Sequence, residues 1–445
     1  MVYFIGIGGI GMSALAQYFL EKGEKVFGSD LFSSEIIDLL KKKGAKIFIG
    51  KQKAEHIRSL NCKLKLLIYS PAISSNNPEL KEAKKRKIKC LSYPQALGEL
   101  TKKYYTIAIC GTHGKSTTSA LSSLLLKKAD FDPTVILGTK LKEFKNSNFR
   151  WGRSQYLVIE ADEYKEAFLN YWPKIIILTN LEQDHLDFYK NFNNYLLAFK
   201  KFIFHLPKDG ILIANKDDKN VEKLISSIKK DEKIFEIRRF SLEEKIAEKI
   251  KKILKIPGEF NVSNALAVFK LAEVLKISHK VYFKVISEYR GSWRRLEEKE
   301  LKIGNFKLRI ISDYAHHPTE VKVTLEAIRE KWKRKRIICI YQPHQYQRTY
   351  YLWKEFIQVF KKAPVDEIII TNIYDVPGRE EKEIKEKINS KKLVEEINKD
   401  SVIYLPKGNL LNYLRKRLKG KEILVIMGAG DIYNFEKEML KLKSL

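Results

Sequence analysis

Thr106-Ile107-Ala108-Ile109-Cys110 runs straight into Gly111-Thr112-His113-Gly114-Lys115-Ser116-Thr117-Thr118. An apolar strand, a glycine turn and then Lys-Ser-Thr opening a helix together build a cradle for a nucleoside triphosphate. Turn amides and the positive end of the helix face the phosphates, Lys115 reaches the terminal ones, and the Ser116 hydroxyl can hold Mg²⁺. Ile109 stands where the full motif has a glycine, five positions before Gly114. The loop is therefore a compact Gly-Thr-x-Gly-Lys-Ser variant, which by itself supports binding of ATP or GTP. A glycine turn that merely precedes a helix is the competing reading.

Outward from this loop, short β-branched runs alternate with helical stretches from end to end, which predicts parallel sheets flanked by helices. The first segment has strands near Val2–Ile5, Lys25–Gly28, Lys46–Ile49, Leu64–Tyr69 and Ile88–Leu91. The second has Thr106–Cys110, Tyr156–Ile159, Ile175–Thr179, Gly210–Ala214 and Lys233–Ile237. The third has Leu308–Ile311, Ile337–Tyr341, Glu367–Thr371, Val402–Leu405 and Ile423–Met427. The expected fold class is α/β with three consecutive domains, residues 1–103, 104–292 and 293–445. The first and third are expected to be Rossmann-like and the central one a P-loop-type ATPase. Ser241–Lys255 carries Ile246, Ile250, Ile253 and Leu254 at helical spacing and reads as an amphipathic, core-facing helix.

The first segment opens with Gly6-Ile7-Gly8-Gly9-Ile10-Gly11 between a strand and a helix, and Asp30 ends the next strand 19 residues after Gly11. Such a turn lets a pyrophosphate approach the backbone, while the acid suits a ribose. NAD and a UDP-linked sugar carry the same diphosphate, so the pattern fits both.

Two strands of the second segment deliver polar clusters to the edge that holds the phosphate loop. They are Glu160-Ala161-Asp162-Glu163 and Thr179-Asn180-Leu181-Glu182-Gln183-Asp184-His185-Leu186-Asp187. A metal bridging β- and γ-phosphates suits that edge, and the oxygen preference of Mg²⁺ selects Glu160 and ranks His185 behind the acids. Glu163, Glu182 and Asp187 read as helix-capping or solvated acids. In Gly258-Glu259-Phe260-Asn261-Val262-Ser263-Asn264 an asparagine is either a cap or a reader of an adenine edge. At the second domain boundary Arg294-Arg295-Leu296-Glu297 offers an arginine for a transferring phosphoryl group, or a surface ion pair with Glu297. The third segment contributes Asp313-Tyr314-Ala315-His316-His317-Pro318 and Tyr341-Gln342-Pro343-His344-Gln345-Tyr346-Gln347-Arg348-Thr349 at strand ends. Without a third ligand at zinc spacing, these histidines read as substrate contacts.

The 445 residues have 44% hydrophobic content, and no apolar run reaches the ~18–20 residues of a membrane span. Met1-Val2-Tyr3-Phe4-Ile5 enters a strand at once, which leaves no room for a signal peptide. Cys62, Cys90, Cys110 and Cys339 lack CxxC spacing and read as buried free thiols, so a cytoplasmic protein is expected. The net charge of +30 is mostly lysine scattered along the chain, as in the helix end Lys331–Arg336, and does not outline a nucleic-acid surface.

With these segments placed, the chain resembles the Mur ligase family, the ATP-dependent amide-forming enzymes of peptidoglycan synthesis, over essentially its whole length. Gly6–Ser13, and Tyr341-Gln342-Pro343-His344 followed by Arg348-Thr349, resemble the branch that adds L-alanine. Glu160–Tyr164 and Arg294–Glu297 suit equally the recycling branch that attaches a murein tripeptide. The resemblance implies a first domain that holds UDP-N-acetylmuramate through Gly6, Gly8, Gly9, Ile10, Gly11, Asp30 and Ser70, not NAD. It implies ATP bound by Gly111, Thr112, His113, Gly114, Lys115, Ser116 and Thr117, with Asn261, Asn264, Arg295 and Asp313 completing the site. Mg²⁺ would sit among Ser116, Glu160 and His185. His316, His344 and Arg348 would face L-alanine and the reacting carboxyl group, so the implied catalytic set is Lys115, Glu160, His185, Arg295, His316, His344 and Arg348. Phe260, Gln345, Ser312 and Lys51 depart from the family's usual His, Arg, Asp and His, and the stretch between Asp218 and Gly258 is short. A nucleic-acid-stimulated ATPase is the reading from a different class, and no helicase-like set of arginines and acids supports it.

Overall fold

Apolar runs such as Val2–Ile5, Ile175–Leu178, Ile337–Tyr341 and Ile423–Met427 become strands buried on both faces, as parallel strands between helical layers are. The computed structural model describes residues 1–60, 64–228, 235–303, 306–376 and 381–440. In the first sheet, β1 (Val2–Ile5), β2 (Val26–Asp30), β3 (Lys46–Ile49), β4 (Leu66–Tyr69) and β5 (Lys89–Ser92) are all parallel, in the order β3-β2-β1-β4-β5. The order reverses at β1, the kind of switch point where open α/β sheets place their ligand crevice, and the Gly6–Gly11 turn lies at its carboxyl end.

The second sheet comprises β6 (Tyr105–Cys110), β7 (Thr134–Leu141), β8 (Ser147–Arg150), β9 (Tyr156–Glu160), β10 (Ile175–Leu178), β11 (Ile211–Asn215) and β12 (Glu236–Phe240). Their order is β12-β11-β10-β6-β9-β7-β8, parallel except for the antiparallel pair β7 and β8. The third comprises β13 (Glu297–Ile303), β14 (Phe306–Asp313), β15 (Ile337–Tyr341), β16 (Glu367–Ile370), β17 (Val402–Tyr404) and β18 (Ile423–Met427). It runs β13-β14-β18-β15-β16-β17, with β13 and β14 antiparallel. Along β15 and β18, Cys339 and Val425 enter one core and Ile338, Ile340, Leu424 and Ile426 the other, so this sheet is covered on both sides.

The expected parallel sheets are found, with an antiparallel pair added at one edge of the second and of the third. Gly138 interrupts β7 after its buried run Thr-Val-Ile-Leu, β8 is short and polar, and β13 reads Glu-Glu-Lys-Glu-Leu-Lys-Ile, so neither β8 nor β13 shows a buried-strand pattern. The expected strand at Lys233–Ile237 begins at Glu236, while Lys233 and Ile234 lie outside the described residues. The helix expected within Ser241–Lys255 spans Lys245–Ile253 and buries Ile250. Cys90, Cys110 and Cys339 are free thiols, and Cys62 lies outside the described residues. Among the described residues no helix is long and apolar enough to cross a membrane.

The chain divides into two compact units. One comprises Met1–Glu182, Asn193–Glu244 and Asn264–Val285 and carries the first two sheets. The other comprises Gln183–Phe192, Lys245–Ser263 and Ile286–Leu445 and carries the third.

Candidate active site

In the first unit, buried β6 ends at Cys110 and the chain turns through Gly111 and Gly114 into the helix Lys115–Lys128. Gly114 has φ +84°, and a Cβ there would collide with the Asn264 amide oxygen. Only glycine fits both the dihedral and that approach. The loop is held from β10's carboxyl end, where Thr112 N–H donates to Asn180 O at 3.0 Å and His113 N–H donates to Asn180 Oδ1 at 2.8 Å. The buried Tyr195 hydroxyl lies 2.9 Å from Thr112 Oγ1 and 3.3 Å from Glu163 Oε1.

Lys115 Nζ donates to Gly111 O at 2.5 Å and pairs with buried Glu163 at 3.0 Å. Burial pulls this ammonium's pKa down, but Glu163, Asp162 and Glu160 overcome it and leave it above the ordinary lysine value. Glu163 is thus the counter-ion of the phosphate-loop lysine, and not a solvated acid. Ser116 Oγ donates to Glu160 Oε2 at 3.1 Å, and Glu160 Oε1 accepts Gly138 N–H at 2.8 Å. A hydroxyl and a carboxylate at one edge form an oxygen donor set that fits Mg²⁺. Thr117 is buried within the first helical turn.

The first sheet's glycine turn is built differently. Gly6 and Ile7 N–H both donate to Ser29 O, at 2.8 and 3.1 Å, and Gly8 N–H donates to Asp30 Oδ2 at 2.8 Å. Ser70 N–H donates to Ile5 O at 3.0 Å, and Ser70 Cβ would lie 3.1 Å from a Cβ on Gly6. Beyond Gly9, the helix Ile10–Glu21 leans on the second sheet. Asn148 Nδ2 donates to Ile10 O, and Gln17 Nε2 donates to Asn148 Oδ1 at 3.2 Å. A Cβ on Gly11 would stand 2.6 Å from the Tyr93 ring.

In the second unit, Arg348 forks onto Asp184, with Nη2 3.1 Å and Nε 3.3 Å from Oδ1, and both residues are buried. Burial opposes the charge on Asp184, yet Arg348, together with His185, His317 and His316, holds its carboxyl well below the usual range. His344 Nδ1 lies 3.4 Å from Arg348 Nη1, and its ring stacks on Tyr374. His316 meets His344 edge to face at 5.9 Å and reaches Glu320 at 3.1 Å. Burial lowers the His316 pKa, despite Glu320.

Asp313 accepts Leu296 N–H at 2.7 Å and Ala315 N–H at 2.8 Å, and burial pushes its pKa up to about 6. Arg295 lies 3.6 Å from Glu320 and over the Tyr314 ring. Its neighbour Arg294 is buried between Tyr314 and Tyr433, with Nη2 on Gly428 O. Asn261 Nδ2 donates to Pro257 O at 2.6 Å.

Of the expected residues, the first unit thus brings together Gly111–Thr117, Glu160 and Asn264, and separately Gly6–Gly11, Asp30 and Ser70. The second brings together His316, His344 and Arg348, beside Arg295. His185 belongs to the second unit, 3.8 Å from Asp184. Gly138, Glu163, Tyr195, Asp184 and Glu320 escaped sequence reasoning as site residues. Gly138 alone left a signal, a glycine inside an otherwise β-branched run.

Residues 1–105 match the family model described as Mur ligase family, catalytic domain; residues 109–272 match Mur ligase middle domain; residues 294–430 match Mur ligase, glutamate ligase domain. The chain is 38% identical to the UDP-N-acetylmuramate–L-alanine ligase of Clostridium acetobutylicum, over 99% of this chain and 97% of that protein. It is 40% identical to the enzyme of the same name from Clostridium kluyveri, over 97% and 96%. A crystal structure of UDP-N-acetylmuramate-alanine ligase from Thermotoga maritima superposes with a TM-score of 0.77 at 26% identity, covering 99% of this chain and 98% of that one. A murein peptide ligase from Psychrobacter arcticus shares the fold, with a TM-score of 0.73 at 21% identity over 100% and 99% of the two chains.

Proposed function

The chain belongs to the Mur ligase family, and from that premise we propose that it is an ATP-dependent, ADP-forming ligase that joins L-alanine to the lactyl carboxylate of UDP-N-acetylmuramate in cytoplasmic peptidoglycan synthesis. The observation that carries the reading is the full-length likeness to alanine-adding ligases at 38–40% identity. The recycling reading, with a tripeptide as acceptor, has only a likeness in fold behind it.

Residues 1–103 would hold the UDP moiety on Gly6, Gly8, Gly9, Ile10, Gly11, Asp30 and Ser70. Residues 104–292 would bind ATP and residues 293–445 the amino acid. Lys115 moves from Glu163 to the terminal phosphates, an exchange of one anionic partner for another that keeps its charge compensated throughout. Ser116 and Glu160 would hold Mg²⁺, supported by their shared hydrogen bond; the ion would neutralise charge on the phosphates. His185 would be the further ligand that the resemblance implies. Asn264 borders the loop at Gly114, and Asn261, Arg295 and Asp313 are the remaining ATP contacts proposed.

A lactyl carboxylate oxygen attacks the γ-phosphorus, the bond to the ADP oxygen breaks, and an acyl phosphate forms. The alanine amine then adds to the acyl carbon and the tetrahedral intermediate expels phosphate. The amine must first lose a proton. Burial lowers the His316 pKa, which favours the neutral imidazole that a proton acceptor here requires. Arg348 and His344 supply a cation and a donor for the amino acid's carboxylate.

Phosphate release tests the reading. With ATP and Mg²⁺ it should require UDP-N-acetylmuramate and L-alanine together. Turnover with the tripeptide but not alanine would replace it by the recycling activity, and turnover with DNA or RNA alone would overturn it.

A further inference from the structure

Beneath the first glycine turn lies a polar cluster that the proposed chemistry does not use. Glu79 is fully buried on the helix Pro78–Lys85, yet its carboxylate accepts from three elements. The Tyr3 hydroxyl of β1 donates to Oε1 at 2.9 Å, Ser29 Oγ of β2 donates to Oε2 at 2.6 Å, and His56 Nδ1 lies 2.6 Å from Oε1. His56 itself is clamped by stacking on Phe48 of β3, with ring centroids 4.2 Å apart and planes 2° from parallel. A buried carboxylate is retained only where such donors compensate it, so the cluster fixes the geometry of everything attached to it.

One of its members touches the substrate side. Ser29, tied to Glu79 through its hydroxyl, uses its carbonyl to accept Gly6 and Ile7 N–H, and the next residue, Asp30, accepts Gly8 N–H. The turn's dihedrals are thus set from below, by a side chain three elements away. We propose that Glu79 is a positioning residue for sugar-nucleotide binding, acting through Ser29 to fix the backbone conformation of the Gly6–Gly11 turn, whose first amides Ser29 and Asp30 hold from the protein side. The inference rests on the reading of this turn as the UDP-N-acetylmuramate site. It assigns Tyr3 and His56 a different part, since they stabilise the carboxylate without contacting the turn.

The test separates the two parts. Ser29→Ala and Glu79→Gln should each raise the KM for UDP-N-acetylmuramate about tenfold, the effect of one charge-assisted hydrogen bond. Both should leave kcat and the KM for ATP within about twofold. Tyr3→Phe, which removes another donor to the same carboxylate, should lower Tm but leave that KM within about twofold. Calorimetric titration with UDP-N-acetylmuramate gives the matching Kd values, and Glu79→Gln keeps the test alive if Ser29→Ala does not fold. If Ser29→Ala and Tyr3→Phe show the same KM, or if Ser29→Ala and Glu79→Gln bind the sugar nucleotide like wild type, the cluster is structural only and the proposal falls. Wild-type protein that binds no UDP-N-acetylmuramate overturns the underlying reading instead.

Discussion

The two glycine turns of the first unit begin alike and end differently. Each follows the carboxyl end of a buried parallel strand and opens a helix, at Ile10 in one and Lys115 in the other. The first is anchored by acceptors alone: Ser29 O takes Gly6 and Ile7 N–H, and Asp30 takes Gly8 N–H. The second has a lysine in its helix and two acids around it, Glu163 on Lys115 and Glu160 on Ser116. Backbone amides suffice to hold a diphosphate that does not react. Transfer of a phosphoryl group needs charge that meets the charge developing on the oxygens, and so needs a cation and a metal edge. On the proposed function, the same backbone device serves binding in one place and chemistry in the other.

If so, removing the cation should be the most damaging change. Lys115→Ala is expected to lower kcat for phosphate release by about a thousandfold while the Kd for UDP-N-acetylmuramate stays within about twofold. An unchanged rate would erase the distinction between the turns. Because the Lys115 pKa is raised above its usual value, the lysine remains charged across neutral and mildly alkaline pH, and it contributes no limb to the rate profile between about pH 6 and pH 9. Next in size is Gly114→Ala, which places a Cβ on the Asn264 amide at φ +84°. Backbone strain of about 1–3 kcal/mol should appear as a tenfold or greater rise in the KM for ATP. The counterpart in the other turn is Gly11→Ala, whose Cβ would press on the Tyr93 ring. A ring edge can shift where a buried amide cannot, so about a fivefold rise in the KM for UDP-N-acetylmuramate is expected, with the KM for ATP unchanged. A rise in both would mean that the helix Ile10–Glu21 couples the turns through Asn148.

Both turns were legible in the sequence because each is local: strand, glycines and helix start lie within a dozen residues, and the spacing alone carries the geometry. Their supports were not. Tyr195 reaches Thr112 from 83 positions away, and Asp184 meets Arg348 across 164, distances at which no periodicity or spacing speaks. Glu163 read as solvated because an acid next to a strand end usually is, and only the fold buries it beside Lys115. The fold shows the same division. Most parallel strands announced themselves by apolar runs, whereas β8 and β13 form antiparallel edges whose polar sequences match no buried-strand pattern, and β7 beside β8 is broken by Gly138. Arg294 shows the limit of reading residue type: for an arginine at this boundary a phosphoryl contact and a surface ion pair with Glu297 were the two alternatives, and the Arg294 side chain is enclosed by aromatic rings.

The smallest effect is expected at the one charge that the first turn does have. The sequence spacing casts Asp30 as the acid that binds a ribose, but in the structure one of its oxygens holds Gly8 N–H at 2.8 Å. A carboxylate at that position repels a diphosphate as well as holding the turn, and the two effects oppose each other. Asp30→Asn keeps an acceptor for Gly8 and removes the charge. The KM for UDP-N-acetylmuramate should then change by less than about threefold, while Asp30→Ala, which removes the acceptor, should raise it about tenfold. Were Asp30→Asn as damaging as Asp30→Ala, the charge itself would be reading the substrate, and the first turn would depend on an ionised side chain much as the second depends on Lys115.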